Sequence, residues 1–225
     1  MITTKLILCG PRIHVNILCD DHYEKRAARQ KARGGRPLSF DRNQALEAAM
    51  RVFWSRGFEA SSVNMLVEAM GVTPPSLYTA FGDKQSLYAE ALDHYLRHPS
   101  MDAHRLLTAA STARGAVELL LQAAILRQTK RGQPQGCMLM GAMVNSPPVS
   151  DIDQKIIRAR ADFEDSLRIR LDRAVQDLEL PPDTDTHALA GYYLAMLQGI
   201  SAQARDGANS EKLEGIIRIA MRAWP

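Results

Sequence analysis

Residues 62–84, "SVNMLVEAMGVTPPSLYTAFGDK", decide how the rest of the chain is read. Val63, Leu66, Val67 and Met70 fall at i, i+3, i+4 and i+7, so their apolar side chains share one face of a helix barely two turns long. Gly71 breaks the rhythm, because a glycine takes the left-handed backbone of a tight turn without a Cβ clash. Thr-Pro-Pro follows. Prolines suit the first turn of a helix, where a missing N–H costs no intrahelical bond, and Thr73 is placed to cap through its hydroxyl. Leu77 and Phe81, four apart, pin one face to a core and leave Thr73, Ser76, Tyr78, Thr79 and Ala80 facing outward. Two short helices joined by a glycine turn form a helix-turn-helix, whose second helix enters the DNA major groove. On pattern alone the same stretch also describes a helical hairpin packed on another protein.

The flanks continue in helical rhythm. In "FDRNQALEAAMRVFWSRG", Leu46, Ala49, Met50 and Phe53 form an amphipathic face, Asp41 and Gln44 have capping-box spacing, and Gly57 is the stop. In "DKQSLYAEALDHYLRH", Leu87, Ala91, Leu92, Tyr95 and Leu96 point inward. Further helices are expected at about 101–110, 114–129, 137–144, 151–180, 187–206 and 211–223. The breakers "RGQPQG", "NSPPVS", "LPPDTD" and "DGANS" separate the later ones. The segment from Asp151 carries Ile152, Ile156, Phe163, Leu167, Leu171, Ala174 and Leu178 down one side. By contrast "ALAGYYLAMLQGISAQA" is apolar nearly all round, as a helix covered on more than one side would be.

Composition agrees with an all-α fold. The 225 residues are 46% hydrophobic and 24% charged, aromatics are few, and β-branched runs are scarce after the first 20 residues. The net charge of +3 says little, but Lys25, Arg26, Arg29, Lys31, Arg33 and Arg36 crowd into a dozen residues. Residues 1–36 thus read as a basic extension: either a disordered leader or an arm that follows DNA phosphates. Cys9, Cys19 and Cys137 show no metal-ligand spacing, which fits a reducing compartment and argues against structural zinc. His94 and His98 lie four apart without a third ligand, so no metal and no cofactor is expected. No apolar run is long enough to span a bilayer and no signal peptide is apparent, so the expected location is cytoplasmic, with no membrane partner. The fingerprints of hydrolases, zinc proteases, P-loops and dinucleotide folds are missing, which speaks against an enzyme.

Residues 36–96 closely resemble the DNA-binding domain of the tetracycline-repressor (TetR) family of bacterial transcription regulators. The matching segments are "GRP", "ALEAAMRVFWSRGFEASSV", "LVEAMGV", "PSLYTAFGDKQSLY" and "EALDHYL", with Leu77-Tyr78-x-x-Phe81-x-x-Lys84 the most diagnostic. Weaker echoes occur in "GCMLMGAMV" and "LQGISAQARDGA". The resemblance implies a three-helix DNA-binding domain at 37–97 and a helical ligand-binding and dimerisation domain at 98–225, after a leader longer than the family usually carries. It implies that Tyr78 and Lys84 bind backbone phosphate and that Thr73, Pro74, Ser76 and Thr79 face the bases. Ser62 and Asn64 match further backbone or base contacts. Charge and position add Arg36 and Arg42 to the candidate DNA-binding residues. The second helix has no Arg, Asn or Gln for a bidentate base contact, so thymine methyls, DNA shape or Arg36 in the minor groove become the expected sources of specificity.

For the C-terminal half, the Asp151 helix and the all-round apolar helix are the dimer candidates, two from each chain making a four-helix bundle. Met138, Met140 and Met143 beside Cys137 suggest an adaptable apolar cavity, with Leu120, Met138, Met140, Phe163 and Tyr193 as a trial lining. The resemblance implies a small-molecule effector whose binding lowers affinity for a double-stranded operator bound by a homodimer. Cys137, at the expected head of a helix, reads either as a thiol activated by the helix dipole or as a buried structural cysteine.

Overall fold

The computed structural model describes residues 40–98, 101–142 and 150–225; Arg36 and the basic extension lie outside them. Nine α-helices and no strand occur among the described residues. The first four are α1 (Arg42–Arg56), α2 (Val63–Met70), α3 (Pro74–Phe81) and α4 (Lys84–Leu96). Three of them start where a short polar side chain takes up orphan N–H groups. Asp41 accepts from the amides of Asn43 and Gln44, Ser62 from Met65, and Asp83 from Ser86. Thr73 differs from the expectation. Its hydroxyl makes no cap to the backbone of α3 and instead meets the Ser76 hydroxyl at 2.9 Å. With proline at the first two helical positions, two orphan donors are already removed and the cap is less needed.

These helices close around an aromatic core. Phe53 packs edge-on to Tyr88 at 4.9 Å between ring centroids, and Trp54 meets Tyr95 at 5.1 Å. Leu66, Leu77, Phe81 and Leu92 complete it. Gly71 sits at φ 65° and ψ 32°, the left-handed turn that folds α3 back across α2.

The remaining helices are α5 (Ala103–Thr108), α6 (Ala113–Gln128), α7 (Asp151–Gln176), α8 (Thr186–Arg205) and α9 (Ser210–Ala220), followed by one 3-10 turn at Met221–Ala223. Leu121, Leu167, Leu171, Tyr193, Leu197 and Ile217 build their shared core. A capping box opens α7: Ser150 accepts from the Asp153 amide and the Asp153 carboxylate accepts from the Ser150 amide. The helix stops at Gln176, short of the expected Leu180, because Leu178 adopts φ 60° and the amides of Leu178 and Glu179 turn back onto the carbonyls of Val175 and Ala174.

The helix expected at 137–144 does not form over its described part. Residues 138–141 are turns. The guanidinium of Arg160 on α7 donates to the carbonyls of Leu139, Met140 and Ala142 at 2.6–3.2 Å, taking acceptors that a helix would have used internally. Cys137 is therefore not at a helix head. It is buried, with its Sγ accepting from the Tyr95 hydroxyl at 3.3 Å and its amide donating to Ser201 Oγ at 2.8 Å.

Candidate nucleic-acid interface

The outward face of α3 is built by the inward one. Leu77 and Phe81 are buried, so the residues between and beside them turn to solvent. Thr73, Pro74, Pro75 and Thr79 are exposed, Tyr78 is 50% exposed, and Ser76 is half-buried. Ala80, expected on the same face, is partly buried against the core. The Thr79 hydroxyl donates to the Pro75 carbonyl at 2.8 Å, so it is held against the helix with its lone pairs outward. Thr73 and Ser76 are tied to each other in the same way. The result is a short rod with small, fixed hydroxyls and one projecting phenol. Nothing in it blocks a groove wall.

Two further segments flank this rod. Ser62 and Asn64 at the head of α2 are exposed, although the Ser62 hydroxyl already serves as the helix cap. Lys84 opens α4 with its ammonium 4.3 Å from the centroid of the Phe58 ring, a cation–π contact that limits the wandering of a long side chain. Beside it the Asp83 carboxyl is held below its ordinary value by the hydrogen bond from the Ser86 amide.

Arg42 is also engaged within the fold. Its guanidinium makes a bidentate pair with Glu90 at 2.5 and 2.7 Å, donates to the Ala80 carbonyl at 3.2 Å, and lies 4.4 Å over the Phe81 ring. Arg42 thus braces α1, α3 and α4 together, and Glu90, which gives no signal in the local pattern, is the partner that makes it a brace. His94, weighed as a metal ligand, sits with its Nε2 3.1 Å from a carboxylate oxygen of Glu47, and no cluster of three or more candidate ligands occurs among the described residues.

The turn segment 136–142 joins this layer to the rest of the chain. Trp54 donates its indole N–H to the Gly136 carbonyl at 3.1 Å. From α8, Arg205 reaches the carbonyls of Trp54 and Gly141 at 3.4 and 3.3 Å. The buried Met138 and Leu139 side chains belong to the aromatic core, whereas Cys137 and Met140 also line a cavity. Leu106, Leu120, Ala124, Gln128, Phe163 and Leu197 supply other parts of its wall, and its space is about 320 Å³ with the mouth included. Leu120, Met140 and Phe163 are among the lining expected; Met138 and Tyr193 are not in it.

This arrangement has close counterparts. The profile of the bacterial regulatory proteins of the tetR family matches residues 45–91, which spans α1 to most of α4. The chain is 35% identical over 193 residues to the HTH-type transcriptional repressor ComR of Escherichia coli K12, covering 85% of this chain and 92% of that protein. It is 29% identical over 181 residues to the HTH-type transcriptional repressor BdcR of the same organism, covering 80% and 86%. Among solved structures, a cysteine-substituted variant of the TetR family transcriptional regulator CifR, in complex with a 26-bp double-strand operator DNA, superposes with a TM-score of 0.78 at 38% identity. That match covers 85% of this chain and all of CifR. With its glycine-turned helix pair, its proline-headed α3 and relatedness over most of its length, this chain belongs to the TetR family of bacterial transcriptional regulators.

Proposed function

We propose that the protein is a cytoplasmic, homodimeric repressor that binds a palindromic operator through α3 and releases it when a small molecule enters the cavity beside α6. The observation that carries this reading is the exposed, unobstructed face of α3, with Tyr78 and Thr79 projecting from a helix pinned by Leu77 and Phe81. The operator complex of CifR supports it. Tyr78 from α3 and Lys84 from the start of α4 hold phosphates, Thr73, Pro74, Ser76 and Thr79 face the bases, and Ser62 and Asn64 add contacts from α2. Arg42, whose side chain is 38% exposed, adds a contact to the DNA backbone beside its bracing role.

The second copy is drawn to α7 and α8. Ala188, Ala195, Gly199 and Ala202 are exposed along one side of α8, where small residues let a partner helix approach closely, and Ile157 and Ile169 are exposed on α7. Two such helices from each protomer make a four-helix interface and set two α3 rods about 34 Å apart, one turn of DNA. Effector release then runs through segment 136–142, which walls the cavity on one side and bonds Trp54 and Tyr95 on the other. A ligand that prefers one position of this segment shifts the dimer toward it, and differential affinity is all that coupling requires.

The test is fluorescence anisotropy of the full chain on a fragment from upstream of its own gene, against a shuffled fragment, over a range of salt. Specific binding that weakens steeply with salt is expected. Equal affinity for both fragments would remove the operator-binding reading. No helix among the described residues is long and apolar enough to cross a bilayer.

A further inference from the structure

The cavity beside α6 contains an amide that the protein leaves incomplete. Gln128 is fully buried and lines the cavity, yet neither its side-chain Nε2 nor its Oε1 has a hydrogen-bond partner among the described residues. Buried polar groups in folded proteins are nearly always paired, so an amide unsatisfied at both ends marks a place where something else supplies a donor and an acceptor. Around it the wall is apolar: Leu106, Leu120, Ala124, Phe163 and Leu197. Arg127 also reaches the wall, but it already has an interaction within the protein.

We propose that the cavity takes a compact, uncharged, mostly apolar ligand with a carboxamide-type head, and that Gln128 selects that head by pairing with its donor and its acceptor together. The inference rests on the effector reading above and gives the effector a chemistry. A carboxylate satisfies only Nε2 and sets its own oxygen against Oε1, while a hydrocarbon satisfies neither. A hydrophobic wall discriminates weakly between similar apolar bodies, whereas a buried hydrogen-bonding pair rejects a ligand that leaves it unmade far more strongly. The cavity's 320 Å³ includes space open to solvent and its enclosed room is far smaller, so the ligand is small and the wall yields to admit it.

The experiment uses the full chain with benzamide, benzoate and toluene as probes, their dissociation constants taken from ligand-dependent thermal shifts. Benzamide is expected to bind the wild type more tightly than benzoate, and to bind Gln128→Leu about tenfold or more weakly. Toluene is expected to bind Gln128→Leu at least as well as the wild type. Gln128→Met, whose flexible thioether fills the same space, repeats the comparison should the leucine variant fold poorly. Equal benzamide affinity in wild type and variant, benzoate binding more tightly than benzamide, or none of the three binding the wild type overturns the inference. Operator anisotropy in the same samples separates the two readings. If benzamide binds through Gln128 while operator affinity stays unchanged, the ligand assignment stands and effector release falls. If the upstream fragment is bound specifically and benzamide is not bound, the ligand assignment alone falls.

Discussion

Leu77 and Tyr78 show how one step along a helix separates core from surface. Leu77 is buried and its neighbour Tyr78 half exposed, because adjacent residues on a helix point about 100° apart. Lys84→Ala is expected to weaken operator binding uniformly across sequences and to reduce the slope of log K against log salt by about 1, the signature of one lost phosphate contact. Tyr78→Phe is expected to weaken binding without changing that slope, since no charge is lost. Salt titrations of both variants check this; an unaltered slope for Lys84→Ala places its ammonium away from phosphate. Glu47 offers a test in pH. Its carboxyl is held below the ordinary 4.5, first by the hydrogen bond with His94 and then by Arg51, against a burial effect that pushes it up. A folded-state value below the unfolded one gives stability that is fully present above about pH 4.5 and fades as the pH falls through the lowered value. Glu47→Gln should therefore melt earlier than the wild type at neutral pH, with the gap closing in acid. A gap that stays constant down to low pH would show that the carboxylate's charge is not what stabilises.

At the level of elements, the segment 136–142 is the piece whose sequence misleads. "GCMLMGAM" has the apolar content of a buried helix, yet Arg160, some twenty residues on, takes the carbonyls of Leu139, Met140 and Ala142. Burial lowers the Arg160 pKa from its ordinary value, so the three carbonyls must compensate the cost of a cation placed there. Gly136 fixes where the segment begins. It has φ 78°, and a Cβ at that position would lie 2.9 Å from the Ser201 backbone carbonyl, which cannot move aside without bending α8. Gly136→Ala should destabilise the fold by about 1–3 kcal/mol. It should also disturb the Trp54 indole bond, visible as a shift in tryptophan fluorescence. Chemical denaturation with unchanged midpoint would mean that α8 yields more readily than its packing suggests. The capped helices α1 and α2, by contrast, follow the sequence closely, since Asp41, Ser62 and the stopping glycines act within a few residues of themselves.

Across the whole molecule, the small-residue side of α8 is the feature that a single chain leaves uncovered. In sequence it was apolar nearly all round; in the fold, Leu189, Tyr193, Leu197 and Ile200 are buried while Ala195, Gly199 and Ala202 are exposed. Ala195→Glu is expected to shift the protein to a monomer in light scattering, with helical content unchanged by circular dichroism. Operator affinity should then fall by tenfold or more, because one helix-turn-helix loses its paired half-site. A variant that remains dimeric would move the interface away from α8.

What the sequence determined by itself is the local architecture: helix periodicity and glycine turns, and hence the all-helical class and the proline-headed α3 with its outward face. These depend on residues within a turn or two of one another. Tertiary structure alone decided that Arg42 pairs with Glu90, that Arg160 unwinds the segment after Cys137, and that Gln128 faces a cavity with its amide unpaired. In each case the partner, or its absence, lies on another helix tens of residues away. Nothing in a linear pattern specifies which distant groups packing will bring within hydrogen-bonding reach.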